Sequence, residues 1–168
     1  METKIKPDKT LVSVCGLFCY SCGIYTATQA NDIENLQRIS DRTKIPVAEI
    51  KCNGCRSETL TAYCKNCFMR KCAGEKGIDF CGECEEYPCS HIKEFQSQMP
   101  HRADLWKSQE RIKETGWEKW FSEMTEYFSC TECGALNGWY DFKCRKCGNM
   151  PGNTFVKNNL EQLKTAFK

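Results

Sequence analysis

Cysteine is the residue that most constrains how this chain can fold. Eleven of its 15 cysteines lie between residues 15 and 89, and over residues 51–91 they are interleaved with glycine, lysine, glutamate and asparagine. Such a segment buries too little carbon to fold by the hydrophobic effect alone, and short domains of this kind gain folding free energy by binding metal. The spacing is also regular, because one set of intervals occurs twice: Cys64, Cys67 and Cys72, then Cys81, Cys84 and Cys89.

Metal binding is favoured over disulfide bonding. An odd number of cysteines cannot pair completely within one chain. The stretch METKIKPDKTLVSVCG is polar and then briefly apolar, so we expect no signal peptide, and no apolar run is long enough for a membrane span. We therefore expect a cytoplasmic protein whose thiols stay reduced.

Four segments are predicted along the chain. Residues 1–98 form a cysteine-rich multi-metal domain, 99–128 a helical connector, 129–152 a compact cysteine module and 153–168 a tail. The apolar spacing in the tail allows a short docking helix, which would carry Phe155, Leu160, Leu163 and Phe167.

One long helix is predicted near the N-terminus. Apolar residues recur at helical intervals over roughly residues 23–42. Five of these side chains are expected to share one face of that helix: Ile24, Ala27, Ile33, Leu36 and Ile39.

Residues 92–128, which include the connector, contain no cysteine, and their pattern predicts two or three helices. Pro100 divides the first two, and Gly116 suits the end of the second. Thr115 with Glu118 has the pattern of a capping box for the third. That last helix carries an apolar stripe that predicts packing against the protein's own core: Trp117, Trp120, Phe121, Met124 and Phe128.

The C-terminal cysteines carry the most specific motif. Cys130 and Cys133 precede a glycine, and the same pattern recurs at Cys144 and Cys147. Two residues between thiolates allow a tight turn that places both sulfurs on one tetrahedral ion, and two such turns leave no open coordination position.

The same segment resembles a zinc ribbon, a family in which two such turns on β-hairpins bind one zinc ion. The intervening residues WYDF favour an extended strand. We therefore expect a small metal-stabilised α+β fold, with N-terminal helices and zinc knuckles, a helical connector and a C-terminal β zinc ribbon.

The eleven N-terminal cysteines and His91 would complete three tetrahedral sites. His91 equally suits an exposed or capping position, and His101, without cysteine neighbours in the sequence, is predicted to lie on the surface. Two partitions of the ligands remain open. One gives each repeat its own ion and takes a fourth ligand from Cys52 or Cys55. The other joins Cys52, Cys55, Cys64 and Cys67, then Cys72, Cys81, Cys84 and Cys89, and leaves Cys15, Cys19 and Cys22 with His91.

Three stretches, CGLFCYSC, CNGC and YCKNCFMRKCAGEKGIDFCGECEEYPC, resemble a cysteine-rich family catalogued as domain of unknown function 3795. The resemblance covers about residues 13–96. The family has no established activity, so what the resemblance implies is metal binding by these cysteines. The C-terminal module would be an addition to that core.

An iron–sulfur cluster is the alternative to zinc in the N-terminal domain, because thiolate ligands accept either. Cys15, Cys19 and Cys22 have the spacing of radical S-adenosylmethionine enzymes, whose cluster is incompletely ligated. Those enzymes usually have an aromatic residue where this chain has Ser21, and they need a β/α barrel that the sequence does not predict. A plain iron–sulfur redox site is the stronger form of this alternative.

The charge distribution favours a protein partner over nucleic acid. Residues 130–168 hold six basic and three acidic side chains, and four thiolates on one divalent ion would reduce that excess further. The one basic cluster, Lys143, Arg145 and Lys146, offers few phosphate contacts. No catalytic arrangement is recognisable, so we predict no catalytic residue. We predict a protein with about four zinc ions in a structural, binding or scaffolding role.

Overall fold

The computed structural model describes residues 5–167, and the regular structure within that range is helical. Residues 1–4 and Lys168, which belong to the first and last predicted segments, lie outside the described residues. Short 3₁₀ turns occur at Lys9–Leu11, Cys19–Ser21, Cys81–Glu83, Pro100–Arg102 and Thr165–Phe167. The α-helices are α1 (Gly23–Gln29), α2 (Ile33–Thr43), α3 (Val47–Ile50), α4 (Ala62–Lys65), α5 (Phe68–Lys76), α6 (Ser90–Ser97), α7 (Leu105–Thr115), α8 (Trp117–Tyr127) and α9 (Thr154–Lys164).

The predicted α+β class and the C-terminal β zinc ribbon are wrong. Within residues 5–167 no segment forms a strand, and β-type pairing is limited to isolated bridges, one of which joins Ser129 to Leu136. Trp139 and Tyr140 lie in a turn instead of the expected strand. The Asp141 carboxylate accepts a hydrogen bond from the Gly138 amide and closes this turn. Local turn chemistry thus outweighs the aromatic preference for strands.

The single helix predicted over residues 23–42 is also wrong, because α1 and α2 are separate. Asn31 has a positive φ of 50°, and Asp32 caps α2 by accepting a hydrogen bond from the Asn35 amide at 3.0 Å. Ile33 is exposed rather than on the shared face. The other four predicted side chains do pack in one small cluster with α3: Ile24, Ala27, Leu36 and Ile39 against Ile50.

Helices lie on both sides of Pro100, since α6 ends at Ser97 and α7 begins at Leu105, and α7 ends at Gly116 as predicted. Gly116 has a φ of 84°, which an L-residue with a side chain rarely adopts. The predicted capping box is wrong, because α8 has no side-chain cap. The Thr115 hydroxyl instead donates a hydrogen bond to the Arg111 carbonyl at 3.0 Å.

One hydrophobic core, here called the central core, joins the start, middle and end of the chain. The apolar stripe of α8 is confirmed as its centre, since Trp120, Phe121 and Phe128 are at most 1% exposed. Three of the four predicted segments contribute buried side chains to this core, and residues 129–152 pack against it with partly buried ones, namely Leu136, Trp139, Tyr140 and Phe142. The other buried members are Leu11, Val12, Phe18, Phe80, Ile112, Phe155, Val156 and Leu163.

A second core, here called the cysteine core, contains thiols as well as hydrocarbon. Gln109 of α7 is 1% exposed and ties two segments of this core together: its side chain donates to the Val14 carbonyl at 3.0 Å and accepts from the Gly82 amide at 2.8 Å. The buried members are Val14, Cys15, Met69, Ala73, Ile92 and Leu105, against which Leu17, Cys67, Ile78, Cys81, Tyr87, Cys89 and Phe95 pack.

Candidate metal centre

Two turns with the same backbone geometry carry the C-terminal cysteines. In the first turn, the Cys130 amide donates to the Ala135 carbonyl at 2.9 Å, and the Gly134 amide donates back to the Cys130 carbonyl at 2.9 Å. The second turn repeats both bonds at the equivalent positions of Cys144 and Gly148, at 2.8 and 3.0 Å. Both glycines have a positive φ, 68° and 80°. The glycine after each Cys-x-x-Cys pair is therefore required by the turn.

The four sulfurs of these turns form one closed group. The sulfur atoms of Cys130 and Cys147 are 3.6 Å apart, those of Cys133 and Cys144 are 3.7 Å apart, and all four lie within 4.8 Å of one another. Tetrahedral zinc with bonds of about 2.3 Å to sulfur requires sulfur–sulfur separations of about 3.8 Å. This group can therefore hold a metal ion with four ligands and no open position.

Hydrogen bonds to the sulfurs favour thiolates. The Cys147 amide, followed by smaller contributions that include the Asn137 side chain, lowers the pKa of Cys144 to about 6. The Cys133 amide likewise lowers the pKa of Cys130. The Asn149 amide acts to lower the pKa of Cys147, but hydrogen bonds among the sulfurs raise it to about 12. Four thiolates at this distance repel one another, so a cation is what allows all four to lose their protons.

Asn137 holds the two turns together, although no sequence signal marked it. It is 2% exposed, and its side-chain NH₂ donates to the Ala135 carbonyl at 2.8 Å and to the Gly152 carbonyl at 3.0 Å. The same nitrogen lies 3.5 Å from the Cys144 sulfur, and the side-chain oxygen accepts from the Arg145 amide at 3.1 Å. Asn137 can thus orient a candidate ligand without itself being one.

Replacing Asn137 by alanine is expected to weaken zinc binding by about 10–100-fold, because a ligand loses its orienting partner. Competition with a chromophoric chelator measures this change. Asn149→Ala is the matched control, since among residues 5–167 the Asn149 side chain forms one long hydrogen bond, to the Pro151 carbonyl at 3.5 Å. Equal affinities for the two variants would contradict the role of Asn137.

His101 docks the turn between the cysteine pairs onto the connector, and the prediction that it lies on the surface is wrong. Its ring stacks on Trp139 with 4.4 Å between centroids, and its Nδ1 is 2.8 Å from the Tyr140 hydroxyl. Burial, and then the positive charge of Arg102, lowers the pKa of His101 from 6.5 to about 3. The neutral imidazole is therefore the folded form.

This depressed pKa predicts acid sensitivity. Below pH 6.5 the unfolded chain binds a proton at His101, and the folded chain does not. The stability that the neutral, buried imidazole contributes is therefore complete above pH 6.5 and is lost as the pH falls toward 3. Between pH 7.5 and 5.5 we expect the unfolding free energy of the wild type to fall by about 1.4 kcal/mol more than that of His101→Gln. Urea unfolding of both proteins at the two pH values tests this, and parallel losses would contradict it.

The N-terminal ligand candidates are placed as follows. Cys15, Cys52 and Cys55 are buried. The His91 ring lies against the exposed ring of Phe68, tilted by 31° with 3.8 Å between centroids. Among residues 5–167, no group of three or more candidate ligands other than the C-terminal four closes to within 4.8 Å. The two partitions and the role of His91 stay predictions. Eight further cysteines are half-buried: Cys19, Cys22, Cys64, Cys67, Cys72, Cys81, Cys84 and Cys89.

The sequence repeat is not repeated in the structure. Cys72 lies within α5, whereas its counterpart Cys89 directly precedes α6. Cys67 directly precedes α5, whereas Cys84 follows a 3₁₀ turn. Equal spacing therefore does not give these cysteines equivalent positions, and the packing of the helices decides which sulfurs face one another.

A family model described as a protein of unknown function (DUF3795) matches residues 11–94. The chain belongs to this family. The match spans half of the chain and ends before Cys130, so the closed four-sulfur group lies outside it. No curated protein and no solved structure matches the chain. In residues 5–167, every helix is too short or too polar to cross a membrane.

Proposed function

We propose that this metal-binding protein uses its C-terminal four-cysteine group to hold one structural zinc ion, and that the module so formed serves protein–protein contacts. The sulfur geometry carries the zinc proposal, because separations of 3.6 and 3.7 Å match a tetrahedral zinc thiolate. Four protein ligands leave no position for a substrate, which favours a structural role over a catalytic one.

Metal analysis with a cysteine variant tests the zinc proposal. Cys147 has the exposed sulfur of the group, so Cys147→Ser changes little buried packing. We expect it to lose one tightly bound zinc per chain, and its cobalt form to lose the visible absorption of a four-thiolate tetrahedral site. A variant that binds zinc as tightly as the wild type would contradict the proposal. The total zinc content also tests the predicted count of about four.

An apolar groove beside the four-cysteine group supports a protein partner. Met150 and Phe167 are 69% and 64% exposed there, and the groove has a volume of about 600 Å³. Lys157 and Lys164 line it as well, which suits an apolar peptide segment with a neighbouring carboxylate. The basic cluster suits nucleic acid less, because Arg145 pairs with Asp141 at 2.7 Å. The remaining lining residues are Phe142, Pro151 and Leu160.

Site-specific photocrosslinking in cells tests this partner class. A photoreactive amino acid in place of Met150 is expected to give a discrete adduct with a polypeptide. The same amino acid in place of Lys71, an exposed position on α5 outside the groove, is the control. Adducts with nucleic acid, or identical adducts from both positions, would contradict a protein-binding groove.

A further inference from the structure

The apolar groove lies between two walls that are supported in different ways. The first wall flanks the second cysteine turn and consists of Phe142, Met150 and Pro151. The second wall belongs to α9 and the 3₁₀ turn that follows it, and consists of Lys157, Leu160, Lys164 and Phe167. The groove therefore exists only while the second cysteine turn and α9 keep their relative positions.

The α9 wall is supported by the central core and by a cap. Phe155, Val156 and Leu163 of this helix are at most 2% exposed. The Asn153 side chain accepts from the Val156 amide at 2.8 Å and donates to the Gly138 carbonyl at 3.1 Å. Burial of apolar side chains is therefore the main support of this wall.

The first wall has less hydrophobic support. Met150 is 69% exposed, and Phe142 and Pro151 are only half-buried. Segments with few buried contacts open at a low cost in free energy. A metal ion held by Cys144 and Cys147 would cross-link the loop between Phe142 and Met150 from within. The metal is therefore the main support of the first wall.

The charges in the groove single out one lysine for a partner's carboxylate. Lys164 already pairs with Glu161 of the same helix at 2.6 Å. Lys157 is exposed, and among residues 5–167 no carboxylate forms an ion pair with it. An unpaired cation beside apolar side chains suits a partner segment that carries a carboxylate next to an apolar residue.

We infer that the partner segment docks only on the zinc-loaded chain and that its carboxylate pairs with Lys157, an inference that rests on the function proposed for the groove. Without metal, the first wall opens and the complete groove is present in only a fraction of the molecules. Apparent affinity falls in proportion to that fraction, so a groove formed in fewer than about one molecule in ten binds at least about tenfold more weakly.

Photocrosslinking from Met150 in two variant backgrounds tests the dependence on metal. Cys147→Ser, which is expected to lose the zinc, should lower the yield of the polypeptide adduct at least about tenfold per molecule of expressed chain. Lys146→Ser is the matched control, because Lys146 is exposed in the same turn and is not a candidate ligand. It should keep both the zinc and the adduct. Equal yields from Cys147→Ser and the wild type would overturn the inference alone, whereas a wild type without adduct would contradict the groove proposal as well.

Hydrogen exchange of the full chain shows whether Cys147→Ser loses the groove or the whole fold. We expect the amides of residues 142–151 to exchange at least about tenfold faster than in the zinc-loaded wild type, while the amides of α8 stay protected in the central core. Exchange in α8 as fast as in the urea-unfolded chain would overturn the inference, because the adduct would then be lost through global unfolding.

Two substitutions of Lys157 test the pairing with a carboxylate, and both should leave the zinc content unchanged. Lys157→Glu places like charges across the interface and should lower the adduct yield from Met150 at least about tenfold. Lys157→Arg keeps the positive charge and should keep the yield within about twofold of the wild type. Equal yields from the two variants would overturn the assignment of the carboxylate to Lys157.

Discussion

Cys144→Ser is expected to release the C-terminal zinc ion and to lower the free energy of unfolding by at least about 5 kcal/mol. Structural zinc in small domains contributes apparent binding free energies of about 10–16 kcal/mol, and most of this is folding free energy. Cys144 is the ligand with the most support, because it is 3% exposed and accepts from Asn137. Denaturant unfolding followed by circular dichroism measures the loss.

The loss of stability in Cys144→Ser should extend beyond the two cysteine turns, because the segments before and after them are anchored in the central core. Phe128 lies just before the first turn, and its carbonyl accepts from the Asn137 amide at 2.9 Å. Phe155 and Val156 follow the second turn and are at most 2% exposed. When the metal is removed, the segment that positions α9 against α8 loses its constraint.

A chelator provides the control for this prediction. Chelation of the wild type should lower its stability to that of Cys144→Ser, and chelation of the variant should have little further effect, because both changes remove the same interaction. A variant as stable as the wild type, or two effects that simply add, would contradict a structural zinc at this group.

The closed group of C-terminal sulfurs could be predicted from the sequence because its geometry is local. Each Cys-x-x-Cys pair with its glycine specifies one turn, and the two turns are separated by few residues. The strand predicted at Trp139 failed for an equally local reason, since the Asp141 carboxylate closes the turn at Gly138. Asn137 had no sequence signal, because its role depends on four groups brought together only by the folded turns.

The arrangement of the N-terminal sulfurs could not be predicted in the same way. Periodicity predicted one helix over residues 23–42, but a positive φ at Asn31 and the cap at Asp32 divide it. The approach of Cys15 to Cys81 depends on Gln109 of α7, which is far from both in sequence. Such contacts are tertiary, and cysteine spacing does not encode them. Spacing therefore predicts how many ligands the chain could offer, while the packing of the helices decides which sulfurs lie near one another.

Gly152→Ala tests how tightly the module folds against itself. A Cβ at Gly152 would lie 2.0 Å from the Asp141 carbonyl oxygen and 3.1 Å from the carbonyl carbon. Backbone atoms cannot move aside as a flexible side chain can, and the Gly152 amide and carbonyl are both held, by Phe142 at 3.2 Å and by Asn137 at 3.0 Å. We expect a loss of unfolding free energy of about 3 kcal/mol or more, at or above the usual cost of overpacking.

Gly74→Ala is the matched control, because Gly74 lies within α5 and an added Cβ would have no atom within 4 Å. Alanine in a helix interior is favoured over glycine, so this variant is expected to gain about 0.5–1 kcal/mol. Denaturant unfolding of the metal-loaded proteins measures both changes in unfolding free energy. A loss for Gly152→Ala with a gain for Gly74→Ala would show that the penalty at Gly152 comes from the close approach of the Asp141 backbone. If Gly152→Ala were as stable as the wild type, the backbone at Gly152 could not lie this close to the Asp141 carbonyl.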